Sequence, residues 1–166
     1  MKSKNSETGA GTPYAYALRL LASRDYSAAA LREKLLKRGF SPSDTDDGIE
    51  RLLQGRLLDD HRYAARFAEA AVAAGRYTGL RLRAELRKRG IPADLIEAVL
   101  ADIRQGDSQA EGLNAVISRR FPRLLDGTAD LREKRRAAGF LQRRGFSMAD
   151  IMRAVRPETI YNQTYF

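Results

Sequence analysis

The sequence predicts an all-α protein of three tandem three-helix repeats in an elongated arrangement, and three observations predict it. First, Ala, Leu, Arg, Lys and Glu dominate the 166 residues, while β-branched residues are sparse and rarely alternate with polar ones, which disfavours strands. Second, Gly and Pro stand between the periodic segments, where they punctuate helices. Third, one short pattern recurs: Leu35-Leu36-Lys37-Arg38-Gly39-Phe40, then Leu86-Arg87-Lys88-Arg89-Gly90-Ile91, then Leu141-Gln142-Arg143-Arg144-Gly145-Phe146. Gly90 follows Gly39 by 51 residues and Gly145 follows Gly90 by 55. Units of about 50 residues bury little apolar surface alone, and stacking neighbours would bury more.

The elements follow in order. Residues 1–12 read as a disordered leader. The first repeat, 13–56, opens with a helix from Tyr14 to Ser23 that places Ala17, Leu18 and Leu21 on one face, with Pro13 suited to its first turn. Ser27 caps a second helix carrying Ala30, Leu31 and Leu35, and Gly39 closes it through a left-handed turn. Ser43 or Asp44 starts a third, with Ile49, Leu52 and Leu53 apolar and Gly55 at its end.

The second repeat, 57–106, restarts at Asp59 or Asp60 with a helix whose face is Tyr63, Phe67, Ala70 and Ala71, ending at Gly75. Thr78 caps the next, through Leu82 and Leu86 to Gly90. Pro92 opens one through Leu95, Ile96, Val99 and Leu100, closed by Gly106. In the third repeat, 107–156, Asp107 or Ser108 begins a helix with Leu113, Val116 and Ile117, halted by Pro122. A helix over 128–144 turns Leu131, Ala138 and Leu141 inward. Ser147 caps the last, with Ile151, Met152 and Val155, which ends before Pro157. Residues 157–166 form an aromatic tail.

Composition narrows the function. Without cysteine there is no disulfide framework and no thiol chemistry, which suits a cytosolic protein. A single histidine rules out a histidine-rich metal site. No apolar run is long enough for a membrane span, and the first residues lack the apolar stretch of a signal peptide. No phosphate-binding loop is present, no cofactor is implied and nothing suggests an enzyme. The net charge of +9 favours a polyanionic partner or an acidic protein surface. That charge is concentrated late: the first two repeats carry +2 each and the third +5.

The candidate binding residues each have two readings. In the recurring pattern, the paired cations sit in a last helical turn, where the helix dipole favours them by roughly 0.3–1 kcal/mol. That explains Lys37, Arg38, Lys88, Arg89, Arg143 and Arg144 without any ligand. It explains less of the further excess at Arg81, Arg83 and Arg87, or at Arg132, Lys134, Arg135 and Arg136. Tyr77, beside the arginines of the central helix, can stack on bases, anchor a protein interface or simply pack at a helix junction. Asp59 and Asp60 are adjacent, so they point apart on a helix and make no obvious catalytic dyad; a helix cap is their plainer role.

These segments resemble the RecX family of bacterial recombinase regulators. The stretch Gly55-Arg56-Leu57-Leu58-Asp59-Asp60-His61-Arg62-Tyr63-Ala64 is similar to the family's G-x-L-D-D-x-R-F-A. Arg81-Leu82-Arg83-Ala84-Glu85-Leu86-Arg87-Lys88-Arg89-Gly90-Ile91 matches its R-I-R-x-E-L-x-x-K-G-I helix. Ala17-Leu18-Arg19-Leu20-Leu21-Ala22, Leu31-Arg32-Glu33-Lys34-Leu35 and Phe140-Leu141-Gln142-Arg143-Arg144-Gly145-Phe146 resemble further family segments, in the right order over most of the chain. Thr78-Gly79 replaces the usual Gly-Pro, and no tryptophan follows Asp102.

The resemblance implies a cytoplasmic, monomeric protein that binds the RecA filament on DNA and restrains strand exchange, ATP hydrolysis, filament growth and the coprotease function of the SOS response. It implies weaker binding of single- and double-stranded DNA. On this reading Asp59, Asp60, Arg62 and Tyr63 make one protein contact, and Arg81, Arg83, Arg87 and Lys88 serve acidic protein surface or phosphate. Three similar modules would suit a partner that repeats along an axis. The rival reading is a basic helical protein, DNA-binding or architectural, acting directly on nucleic acid. Against it, the cations are spread over all three repeats and no Asn or Gln flanks the arginines of the central helix.

Overall fold

The computed structural model describes residues 11–105 and 108–155, and within them every regular element is a helix. The first unit holds α1 (Pro13–Ser23), α2 (Ala28–Lys37) and α3 (Pro42–Gln54). The second holds α4 (Asp60–Ala73), α5 (Gly79–Lys88) and α6 (Ala93–Gln105). The third holds α7 (Ser108–Arg120), a 3₁₀ turn at Pro122–Leu124, α8 (Leu131–Arg143) and α9 (Met148–Val155). Gly106, Asp107, Pro157, the tail and all but the last two residues of the leader lie outside the described residues.

Local chemistry sets most helix ends. Thr12, Ser27, Ser41, Asp59 and Asp130 each accept a hydrogen bond from a backbone N–H in the first turn of the helix they precede, satisfying a donor that has no partner within the helix. Ser147 does the same for Asp150 at 3.1 Å. Two starts differ from expectation. α3 begins at Pro42 behind Ser41 rather than at Ser43 or Asp44, because a proline needs no N–H in a first turn. α8 begins at Leu131, after a turn in which Asp126 Oδ1 accepts from both the N–H and the hydroxyl of Thr128.

At the end of α3 the left-handed residue is Arg56 (φ 53°), not Gly55. Gly55 keeps ordinary φ while its N–H donates back to the Arg51 carbonyl.

Each unit has its own apolar cluster. Ala17, Leu31, Leu35, Ile49, Leu52 and Leu58 fill the first. Ala64, Ala68, Val72, Leu82, Leu86, Ile96 and Val99 are prominent in the second, with Tyr63, Phe67, Tyr77 and Leu95 packed against it. Leu113, Val116, Ile117, Phe121, Leu141, Phe146 and Ile151 build the third. Burying each Val, Leu, Ile or Phe among them contributes about 1.5–3 kcal/mol, and each alanine less. Several face assignments shift. Ala70 is exposed while Ala68 and Ala71 are buried; on α8, Ala137 rather than Ala138 is buried and Leu131 is 63% exposed. Leu53 and Met152 also face solvent.

The units follow one another in series. Among the described residues, hydrogen bonds join the first to the second and the second to the third, and none joins the first to the third. Both joints use the same repeat position: the glycine turn that ends the second helix of one unit sits on the Tyr-Ser or Tyr-Thr corner that starts the second helix of the unit before. At the first joint, Ser27 Oγ donates to the Arg89 carbonyl at 2.6 Å, and a side chain at Gly90 would collide with Ala29. At the second, the Thr78 N–H donates to the Arg144 carbonyl at 2.9 Å, and a side chain at Gly145 would collide with the Thr78 carbonyl. The second joint adds a helix crossing: α4 packs on α7 so closely that a Cβ at Gly112 would strike the Val72 carbonyl, and one at Gly75 would strike Val116.

Candidate functional site

The central helix α5 exposes less charge than its sequence suggests. Glu85 lies four residues from both Arg81 and Arg89, the spacing at which helix neighbours meet. It accepts from Arg81 at 2.9 Å and from Arg89 at 2.9 Å. The Arg89 hydrogen bond, together with the charges of Arg81 and Lys88, holds its carboxyl below the ordinary glutamate range. Arg83 reaches across to Glu97 of α6 at 2.8 Å. Arg87 and Lys88 are exposed and form no ion pair among the described residues. So the structure divides the four predicted cations into two that neighbouring carboxylates neutralise and two that face solvent.

Tyr77 is half-buried. Its ring stacks on Phe67 at 6.4 Å, and the Arg81 guanidinium lies 5.7 Å from its centroid, so it supports the corner on which the third unit docks. The Asp59–Tyr63 stretch is likewise engaged in the fold. Asp59 caps α4 by accepting from the Arg62 N–H at 2.9 Å. Asp60 Oδ1 accepts from the Ala28 N–H at 2.7 Å and so caps α2 of the preceding unit. Burial pushes the Asp60 carboxyl up, the charge of Asp59 adds to this, and the Ala28 N–H opposes it. Tyr63 packs on the second core, while His61 and Arg62 are exposed.

In the third unit Arg123 pairs with Glu133 and Arg153 with Asp150, but most of the cations of α8 stay unpaired among the described residues. Arg132, Lys134, Arg135, Arg136 and Arg143 are exposed on α8 and make no ion pair among the described residues. Arg144 is half-buried: its Nη1 donates to the Gly75 carbonyl at 2.6 Å, and its guanidinium lies 4.4 Å from the centroid of Phe140. The Arg120 guanidinium lies 4.6 Å from that same ring. Burial lowers the Arg144 pKa, and the charges of Arg120 and Arg119 lower it further, yet a guanidinium stays protonated.

Arg119 and Arg120 did not stand out in the sequence. The available signal was their place in the last turn of α7, directly before Phe121-Pro122. The Tyr-Ser and Tyr-Thr corners were also legible, since Tyr26 and Tyr77 stand at the same offset from Gly39 and Gly90.

Between the second and third units runs a cleft of about 840 Å³, lined by Leu80, Leu100, Ile103 and Leu113 together with Arg83, Arg104 and Arg153. Among the described residues no cluster of three or more His, Cys, Asp or Glu side chains is placed to hold a metal ion, and no helix is long and apolar enough to cross a membrane.

Comparison with known proteins matches all three units. Residues 14–52 match the model for RecX, first three-helix domain; residues 59–100 the second; residues 107–155 the third. Regulatory protein RecX of Trichlorobacter lovleyi is 42% identical over 149 residues, covering 88% of this chain and 96% of that protein. Regulatory protein RecX of Syntrophotalea carbinolica is 39% identical over 133 residues, covering 80% and 87%. The crystal structure of RecX from Lactobacillus salivarius superposes with a TM-score of 0.71 over 86% of this chain and 92% of that one; at 20% identity it bears on the fold alone.

Proposed function

The chain belongs to the RecX family, and from that premise we propose that it is a negative regulator of the bacterial RecA recombinase. It binds the recombinase–DNA filament and inhibits ATP hydrolysis, strand exchange and filament growth in DNA repair and the SOS response. It acts in the cytoplasm, as a monomer and without catalysing a reaction.

The observation that carries this reading is the arrangement of exposed cations on units joined in series. Arg87 and Lys88 on the second unit, and Arg132, Lys134, Arg135, Arg136 and Arg143 on the third, have no ion pair among the described residues, while Arg81 and Arg83 are neutralised. Separate modules in one chain can engage successive subunits of a filament, and weak contacts then combine through effective concentration. Arg62 and Tyr63 fit a protein contact better than Asp59 and Asp60, whose carboxylates are occupied as helix caps.

The test is single-stranded-DNA-dependent ATP hydrolysis by a bacterial RecA, titrated with this protein at fixed salt and with DNA in excess. Inhibition well below one protein per recombinase is the expected result. Reversing Arg87 and Lys88 to Glu should weaken inhibition more than reversing Arg81, which only disturbs a pair. A second reading, a protein acting on nucleic acid directly, is favoured by the unpaired arginines of the third unit. It predicts inhibition only when the protein covers the DNA, with steep salt dependence.

A further inference from the structure

We infer that the arginines gathered at the joint between the second and third units form a phosphate-binding site for the backbone of a nucleic acid strand. The inference rests on the regulatory reading only for its setting, a filament that carries DNA.

The site is built from two helix ends. Arg119 and Arg120 occupy the last turn of α7, and Arg144 caps the end of α8. Arg120 and Arg144 share the ring of Phe140, at 4.6 and 4.4 Å. A cation over an aromatic face is held in place without losing its charge. Arg144 is also tethered to a neutral backbone carbonyl, that of Gly75. The two fixed guanidiniums are therefore oriented by uncharged groups, and among the described residues no carboxylate pairs with Arg119, Arg120 or Arg144.

The same position in the second unit sharpens the point. On the repeat alignment Arg89 corresponds to Arg144, and Glu85 corresponds to Phe140. Arg89 is neutralised by Glu85 and has an aromatic ring as well, that of Phe67 at 4.0 Å. The third unit keeps the arginine and the ring but puts phenylalanine where the second has its acid. What remains is a set of like charges whose mutual repulsion an anion would relieve.

Helix α8 carries further cations of its own. Arg132, Arg136 and Arg143 are spaced by four and seven residues, so they share one exposed face of α8. At 1.5 Å per residue the row is roughly 16 Å long. Guanidiniums left without a carboxylate, two of them held in place at the joint, match a polymer with one charge per nucleotide, and planar guanidinium pairs with phosphate through two parallel hydrogen bonds. Contacts of this kind position a strand without reading its sequence.

The experiment uses the full chain and a fluorescein-labelled oligothymidine, read by fluorescence anisotropy across a salt titration with no recombinase present. The double variant Arg119→Gln, Arg120→Gln should lose about tenfold in affinity, and its salt slope should fall by about 1–2. A charge-matched control, Lys37→Gln with Arg38→Gln on the first unit, should bind within about twofold of the parent. Equal losses in both variants would mean diffuse attraction and overturn the site, as would unchanged binding by the first. Should the double variant not hold its melting temperature, Arg119→Gln alone replaces it, with a loss of about threefold expected and no loss overturning the site. Inorganic phosphate should not compete at phosphate concentrations where unlabelled oligothymidine does; equal competition would mean a lone-anion site and no strand. Polyglutamate binding as tightly as oligothymidine would assign the surface to an acidic protein instead. Because recombinase is absent, failure here leaves the regulatory reading standing, and failure of the ATPase test leaves this site standing.

Discussion

The two joints of the chain use the same repeat position and reach different solutions. Between the first and second units the link is mostly polar: Ser27 Oγ on the Arg89 carbonyl, Ala28 N–H on Asp60 and an exposed pair between Arg66 and Asp25, with Gly90 packed closely against Ala29. Between the second and third, backbone meets backbone at Thr78 and Arg144, and α4 crosses α7 over Gly75 and Gly112. A polar latch can open without exposing a core. A close helix crossing cannot separate without giving up packed surface. The second and third units should therefore behave as one body, with the first attached through fewer and weaker contacts.

The largest test concerns the second joint and compares one repeat position outside a joint and within it. Gly39 and Gly145 have nearly equal left-handed φ, 100° and 97°, but nothing lies within 4 Å of the position a Cβ would take at Gly39, whereas Gly145 is seated against the Thr78 carbonyl. Gly39→Ala should cost only backbone strain, about 1 kcal/mol. Gly145→Ala should cost about 3 kcal/mol, since overpacking adds to that strain. Chemical denaturation measures both, and equal losses would mean that the second joint is not close-packed. Gly112→Val should match the larger loss, because backbone at Val72 has nowhere to move.

The hydroxyls at the two corners come next. Ser27→Ala removes both the cap on Ala30 and the bond to Arg89, and should cost about 1–2 kcal/mol by thermal or chemical unfolding. The equivalent Thr78 is buried, but its Oγ1 makes no hydrogen bond within the described residues because its backbone N–H does the joining. Thr78→Val should thus be neutral or stabilising; a loss comparable to that of Ser27→Ala would show that the joints are alike after all.

A smaller effect is expected just before the first joint. Arg56 holds a left-handed conformation that a glycine adopts without a Cβ penalty, so Arg56→Gly should stabilise by about 0.5–1 kcal/mol. The smallest concerns pH. Burial raises the Asp60 carboxyl above its unfolded value, so the folded state holds that proton more tightly. Its contribution is most favourable below the ordinary aspartate range and declines as pH rises through the window just above it. Asp60→Asn, whose amide oxygen can still accept from Ala28, should flatten that segment of the stability–pH curve and leave the rest unchanged. A curve that keeps its slope there would place the titrating group elsewhere.

Much of this was legible without coordinates. Ser27, Asp59 and Ser147 are hydroxyls or carboxylates in front of apolar periodicity, and the capping bond each makes lies within three residues of itself, whereas Thr12, which caps α1, lies within the stretch that reads as a leader. Leu31, Leu35, Leu82, Leu86 and Leu141 are buried where their spacing put them. The face assignments that moved, Ala70 and Leu131, are decided by which helix lies opposite, and spacing within one helix carries no information about that. The functional surface was less legible for the same reason. Arg81 and Arg83 look like free cations in the sequence, but Arg83 meets its acid, Glu97, only across a helix junction.

By itself, then, the sequence determined the helices, several of their caps, the threefold repeat and the family, because each rests on residues within one or two turns or on a pattern repeated along the chain. Only the tertiary structure decided which cations remain free. Ion pairing, the sharing of Phe140 by Arg120 and Arg144, and the tether from Arg144 to Gly75 depend on groups separated by up to 69 residues, and their distances are set by how the units dock. Charge is a property of each residue, but its neutralisation is a property of the neighbours that folding supplies.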